Sequence, residues 1–475
     1  MRPPIFCFVC LWLFSYSVAG QDKWDLQQCV TYAVTHNLSV KDADLQARFS
    51  QLQLRQDKLS KIPTFSLQGN VGYQLGRSEN PTTGVLQDNN FFNTGLQVSS
   101  NVTLFNWFAL KHTVASSKLA YEADQAQVRK VQDDIALNVA VAYLQALLAK
   151  EQVSVNAIQV QQTESQLDLT RKQVRAGVLP ELNELQLEAQ LANDSSLLVT
   201  AEATVRQYLL QLKALLNLDA AAPFDIAAPP IETIPVENLA DLQPDYVYSM
   251  GVANLTQQKV ARLRLQSSQY GVKAARSNMM PRFSGYAGAF TNYVNIKQPE
   301  LAAGPKAPTG ATVVVDGTEY NILAPTFNVI RQTTTPFFTQ WWNNFGQNIG
   351  IGLTVPIFNG GVQRTAWERS KLNMKQWELR IEQDNQKLKQ DIYNAYNDAV
   401  AALQKFTANR KSVEAAEKAY NFAQRRYTVN LLSTYELINT QNNLLVARTQ
   451  MLAAQFDYVF KMKLLEFYKG QGLKL

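Results

Sequence analysis

The stretch VRKVQDDIALNVAVAYLQALLAKEQVSVNAIQV, from Val128 to Val160, decides the fold. Its apolar positions Val128, Val131, Ile135, Val139, Ala142, Ala146, Ala149, Val153, Ala157 and Val160 recur at gaps of three and four, the period of a helix with one apolar face. The helix reaches far beyond this window. From Trp107 to Ala176 the chain has neither Gly nor Pro, and from Val362 to Lys469 it again has neither. At the helical rise the shorter of these runs extends about 100 Å, a rod that no compact domain needs. A second stripe, Leu137, Val141, Leu144 and Leu148, runs beside the first, so each rod can pack on two neighbours as a stave does. An ordinary antiparallel coiled coil is the other arrangement such rods allow.

Working outward, the rod belongs to a duplication. Leu104-Phe105-Asn106 returns as Ile357-Phe358-Asn359 at an offset of 253, and Val174 to Leu191 matches Tyr427 to Leu444 at the same offset. Upstream, Pro63-Thr-Phe-Ser matches Pro281-Arg-Phe-Ser at 218, and Asn37-Leu-Ser matches Asn254-Leu-Thr at 217. The jump in offset means that the second copy carries an insertion between its proline and its Phe-Asn pair. Each copy reads as helix, proline, variable middle, Phe-Asn, very long helix, turn, helix. The expected organisation is a first repeat over 21–218, a linker over 219–245 with prolines that packs around the middle of the rods, and a second repeat over 246–475. Gly177 and Pro180 break the first rod. In the second copy Asn430 takes the place of Gly177 at the left-handed position of the turn.

Between each proline and each Phe-Asn pair the period switches to two. Phe65, Leu67, Gly69, Val71, Tyr73 and Leu75 alternate with polar residues, as do Leu96, Val98, Val102 and Leu104. In the second copy Ile349, Ile351, Leu353, Val355 and Ile357 alternate with Asn348, Gly350, Gly352 and Thr354, and a glycine-rich partner lies near Phe283 to Tyr293. Each run is about ten residues, the length of a tilted strand across an outer membrane. Aromatic pairs at Phe91-Phe92, Trp107-Phe108 and Trp341-Trp342 stand near the strand ends, where interfacial girdles belong. Four such strands cannot close a barrel, and an open sheet edge is not tolerated in lipid. Closure has to be shared between copies, and three would give twelve strands. The Gly/Pro-rich segment from Leu301 to Pro325, with Thr333 to Pro336, reads as an expanded loop facing outward.

Composition narrows the class further. Arg2, the apolar run Ile5 to Phe14 and the small residues Ser17 to Gly20 read as an export signal over 1–20. Cys7 and Cys10 lie inside that run, which leaves Cys29 as the one mature cysteine and predicts a buried structural thiol. Forty-five basic against thirty-nine acidic residues give a net charge of +6 without a basic block, so a nucleic-acid partner is not expected. The two histidines, His36 and His112, are far apart, with no ligand set around either, and no phosphate loop or Gly-x-Ser-x-Gly occurs. No cofactor, metal or active site is expected.

The duplicated order, the Leu-Phe-Asn and Ile-Phe-Asn-Gly-Gly pieces that open the long helices, and the stretch from Tyr427 to Glu436-Leu-Ile-Asn439 together resemble the outer-membrane efflux protein family. The resemblance implies an α+β membrane protein: a homotrimeric β-barrel, four strands per chain, continued by a long periplasmic α-helical barrel and built from two structural repeats. It implies an outer-membrane channel serving an inner-membrane pump through a periplasmic adaptor, with itself and outer-membrane lipid as the other partners. Family acids just past the second turn ring a periplasmic aperture, and Glu436 and Asn439 stand at those positions, one acid of two. The family's closed state uses a tyrosine, a base and an acid near the turns. Tyr427 matches the tyrosine, while Leu432 stands for the base and Asn183 for the acid, so a neutral Tyr427–Asn183 hydrogen bond is the expected lock. Adaptors of the family dock at the tips, here Gly177, Val178 and Leu179 with Asn430, Leu431 and Leu432. A periplasmic adaptor or structural coiled coil is the competing reading. It explains the rods but leaves the four strands without a purpose.

Overall fold

The computed structural model describes residues 23–79, 86–88, 90–231, 234 and 236–470. The expected export signal over 1–20 lies outside the described residues. In chain order the first copy runs α1 (Leu26–His36), α2 (Leu38–Leu59), β1 (Thr64–Gln74), β2 (Arg77–Glu79), β3 (Leu86–Asp88), β4 (Phe91–Phe105), α3 (Ala109–Arg175) and α4 (Glu181–Leu216). The second runs α5 (Pro244–Asn254), α6 (Thr256–Ser277), β5 (Arg282–Val294), β6 (Gln298–Val315), β7 (Thr318–Thr333), α7 (Phe337–Asn343), β8 (Gly346–Thr354), α8 (Val362–Thr428) and α9 (Thr434–Tyr468). Helices α3 and α8 both have 67 residues and start 253 apart. Helices α1 and α2 recur as α5 and α6 at 218, which corrects the offset of 217 read from Asn37 and Asn254. The slip arises because Asn37 is held by its capping role: its side chain accepts from the Ser39 N–H at 2.8 Å, and its counterpart at 218 is Leu255.

The chain divides into two compact units, one from Met1–Leu52, Lys118–Ser268 and Asn373–Leu475, the other from Gln53–Ser117 and Gln269–Leu372. The second unit holds a four-stranded antiparallel sheet in the order β1-β4-β5-β8. Pairing sets Leu67 against Val98, Val98 against Ala289 and Ala287 against Ile349, so the apolar residues of all four strands share one face. Leu67, Val71, Ile349 and Ile351 on that face are exposed, while Ser66, Asn70, Gln97 and Asn101 line the other. A wall between an apolar and an aqueous phase has this pattern. Strand β8 ends at Thr354 rather than Ile357, because Pro356 has no N–H to offer a ladder.

Leu301 to Pro325 is not a loop. It belongs to a ribbon in which β6 pairs with β7 around Asp316-Gly317, both at positive φ. That dipeptide, between Val313-Val314-Val315 and an alternating run, is a hairpin signal that the prolines and glycines of the segment mask. Thr333 closes β7, and Trp341 and Trp342 lie on α7, where Thr291 Oγ1 donates to the Trp341 carbonyl at 2.6 Å.

The first unit is held by helix packing. Ile135, Val139, Ala142 and Ala146 of α3 meet Cys29 and Ala33 of α1, Leu212 and Leu216 of α4, and Phe456 and Val459 of α9. Burial, with the Asp25 charge adding to it, pushes the Cys29 thiol up to about 12, so this cysteine is inert packing. The linker lies on the middle of α3: Tyr143 Oη donates to the Ala227 carbonyl at 2.6 Å and Lys150 Nζ to the Ile226 carbonyl at 2.9 Å. No helix among the described residues is long and apolar enough to cross a membrane.

Candidate functional site at the hairpin turns

Beyond Ala149 the α3 seam departs from the sequence expectation. Ala157 is exposed, and the buried positions are Asn156, Gln159, Thr163, Gln166, Leu167 and Thr170. The seam keeps a strict heptad spacing, Ala142, Ala149, Asn156, Thr163 and Thr170, and turns polar toward the tip. Polar side chains at such positions set register at some cost in stability. Asn156 Nδ2 reaches the Leu197 carbonyl at 3.5 Å, and Nδ2 of its repeat counterpart Asn409 reaches the Gln450 carbonyl at 3.0 Å. Each hairpin is thus pinned in the same register by an equivalent asparagine.

The two turns are built alike. After α3, Gly177 adopts φ +71, its N–H donates to Val174 O at 2.9 Å, and the Val178 N–H donates to Gln173 O at 2.9 Å. After α8, Asn430 adopts φ 60, its N–H donates to Tyr427 O at 2.9 Å, and the Leu431 N–H donates to Arg426 O at 2.8 Å. Both are Schellman ends with a left-handed residue, glycine in one copy and asparagine in the other. Val178 and Leu431 stand out into solvent, Leu179 is half-buried, and Leu432 packs against the cluster of Tyr420, Ala423, Tyr427, Leu437 and Leu444.

The expected Tyr427–Asn183 bond is not formed. Tyr427 is 2 % exposed, and its hydroxyl meets Thr170 Oγ1 at 3.0 Å and Thr434 Oγ1 at 3.1 Å. Burial on the α8 seam turns the phenol toward α3 and the start of α9. Asn183, in the first turn of α4, gives its N–H to the Pro180 carbonyl at 3.1 Å. Glu436 and Asn439 are both exposed on the first turns of α9. Glu436 closes a capping box: its N–H donates to Ser433 Oγ at 3.2 Å and its carboxylate accepts from the Ser433 N–H at 3.3 Å.

A second set of polar contacts lies farther from the turns. Gln441 Nε2 donates to Thr163 Oγ1 at 2.9 Å, and Thr163 Oγ1 donates to Asp194 Oδ2 at 2.6 Å. Gln190 Nε2 donates to Asp194 Oδ1 at 2.7 Å and to Asn442 Oδ1 at 3.0 Å. Asp194 is 1 % exposed. These bonds and the Tyr427 bond tie the second hairpin to the first, and all the donors across that contact are uncharged. Sequence reasoning misses Thr163, Thr170 and Gln441. The signal that finds them is a polar residue at a position where the heptad calls for an apolar one.

A wall of amphipathic strands, with helical hairpins whose first arms α3 and α8 each run for 67 residues, is the framework of a channel. The sequence profile of the outer membrane efflux proteins matches residues 32–218 and again 252–465, and the chain belongs to that family. It is an outer-membrane channel component, an exit duct for exported molecules, and the family is one of transport proteins. The outer membrane efflux protein BepC of Brucella suis is 20 % identical over 390 residues, covering 82 % of this chain and 73 % of that protein. Outer membrane protein TolC of Escherichia coli is 20 % identical over 426 residues, covering 88 % of this chain and 76 % of that protein. The solved Campylobacter jejuni CmeC outer membrane channel superposes with a TM-score of 0.70 at 17 % identity, covering 95 % of this chain and 87 % of that one.

Proposed function

We propose that three copies of this chain close into a passive duct, with twelve strands in the outer membrane and the helical hairpins reaching into the periplasm. One observation carries the reading: a sheet of four strands with two unpaired edges and an exposed apolar face. In lipid each unpaired backbone group costs several kcal/mol, so the edges have to find other copies. Protein extracted in mild detergent is expected to run as a trimer by light scattering and to migrate as a heat-modifiable band from the outer-membrane fraction. A monomer that keeps its β signal in circular dichroism would overturn this.

The duct takes its cargo from an inner-membrane pump through a periplasmic adaptor that meets the turns at Gly177, Val178, Leu179, Asn430 and Leu431. The exposed Val178 and Leu431 support that contact, since each offers an apolar side chain at the far end of a hairpin. The aperture is lined by Glu436 and Asn439, three carboxylates in the assembly. The closed state is held by Tyr427 with Thr170 and Thr434 rather than with Asn183.

Glu436→Gln separates charge from capping, because a glutamine serves equally well at the third position of a capping box. The variant is expected to keep its melting temperature while single-channel recordings show weaker cation preference and less block by divalent cations. Unchanged selectivity at unchanged stability would make Glu436 a capping residue with no part in the aperture.

A further inference from the structure

We infer that β8 pairs antiparallel with β1 of a second copy in the register that sets Ile351 against Val71. The inference rests on the trimeric reading and goes beyond it by fixing which residues meet. The repeat supplies the register. Within the first copy Thr64 pairs with Asn101, and within the second Arg282 pairs with Thr354. Moving Thr64 by 218 and Asn101 by 253 gives Arg282 and Thr354, so one pair of offsets relates both junctions. The remaining junction, β4 with β5, joins the end of one repeat sheet to the start of the next and sets Val98 against Ala289. Carrying Val98 forward by 253 gives Ile351, and carrying Ala289 back by 218 gives Val71. Among the described residues that contact is missing within the chain, because β8 and β1 are the two edges. A second copy completes it.

Three independent features agree with this register. Ile351 and Val71 lie on the same exposed apolar face, whereas a slip of one residue would set that face of one copy against the polar face of the next. Neither edge strand carries a charged residue or a proline, the usual devices that keep an edge unpaired. On the opposite face the Tyr286 ring lies over Gly350, where a Cβ would stand 2.6 Å from the ring carbon Cζ, and Phe290 lies over Gly346, where a Cβ would stand 2.9 Å from Cε2. The inferred register continues both rows with glycine, Gly72 beyond Gly350 and Gly76 beyond Gly346, so neither ring meets a side chain of the next copy. A slip of two residues would put Gln74 or Asn70 beside Gly350 instead.

The test is disulfide trapping in outer membranes, with each chain carrying both cysteines of a pair. Ile351→Cys with Val71→Cys, and on the other face Gly352→Cys with Asn70→Cys, are expected to give reducible cross-linked trimers. Directly opposed residues approach within about 5 Å, inside disulfide range, whereas diagonal ones stand about 7–8 Å apart. Ile351→Cys with Gly69→Cys, two residues out of register, should therefore yield several-fold less product, and single variants none. Cys29 is buried and does not compete. Two pairs on opposite faces guard against one substitution failing to fold. Trapping in the slipped pair, with trimers intact by light scattering, would overturn the register and leave the trimer standing. Wild-type protein that is monomeric in detergent would overturn both.

Discussion

Ala146→Pro is expected to abolish assembly: outer membranes should contain little or no trimer, and the chain should appear as periplasmic fragments. Ala146 is fully buried on the α3 seam, among Val139, Ala142 and Leu147. Proline there removes the bond from its N–H to the Ala142 carbonyl and drives its ring into that carbonyl, costing about 3 kcal/mol or more. Domains are stable by only about 5–15 kcal/mol, and the lesion recurs in every copy. The seam cannot relax around a kink, because the same face meets α1, α4 and α9 at once. Ala146→Gly is the control. It keeps the N–H and costs about 1 kcal/mol, so trimer yield should stay near wild type. Wild-type trimer from the proline variant would show that continuity of α3 is not needed.

Much of this architecture is legible in one sequence because duplication multiplies weak signals. The strand run in β1 alone is ambiguous, but its recurrence before a second Phe-Asn pair locates β4, β5 and β8. The rods are plain because Gly and Pro are absent over their whole length. Three features stay hidden for identifiable reasons. The ribbon β6–β7 is rich in the residues that mark loops, and only Asp316-Gly317 betrays its turn. Hydrophobicity alone carries the α3 seam onto Ala157, whereas the heptad puts Asn156 and Thr163 inside. The family resemblance points the lock at Asn183, because it says which residues lie near a turn and not which way a buried ring points. Side-chain direction belongs to the packing of three helices, and no single helix encodes it.

That packing sets the last expected result, a channel that opens more readily when Tyr427 loses its hydroxyl. Between the hairpins the phenol joins Thr170 of α3 to Thr434 of α9. Thr170 already donates to the Gln166 carbonyl at 2.9 Å, so Tyr427→Phe leaves it with a partner and removes about 1 kcal/mol per copy. If the three copies open together, the closed state loses about 3 kcal/mol. At about 1.4 kcal/mol per tenfold change, the ratio of open to closed channels rises about a hundredfold. Planar-bilayer recordings should show longer openings at unchanged ion selectivity, since no charge has moved. Cells should also become sensitive to bulky antibiotics that the closed duct excludes. Tyr420→Phe is the matched control. Tyr420 lies one heptad earlier on the same seam, is also buried, and its hydroxyl has no hydrogen-bond partner among the described residues. It should leave the open fraction unchanged. A Tyr427→Phe channel with wild-type openings but a lowered melting temperature would make the hydroxyl a packing contact, and the hold on the hairpins would then fall to Gln441, Thr163 and Asp194.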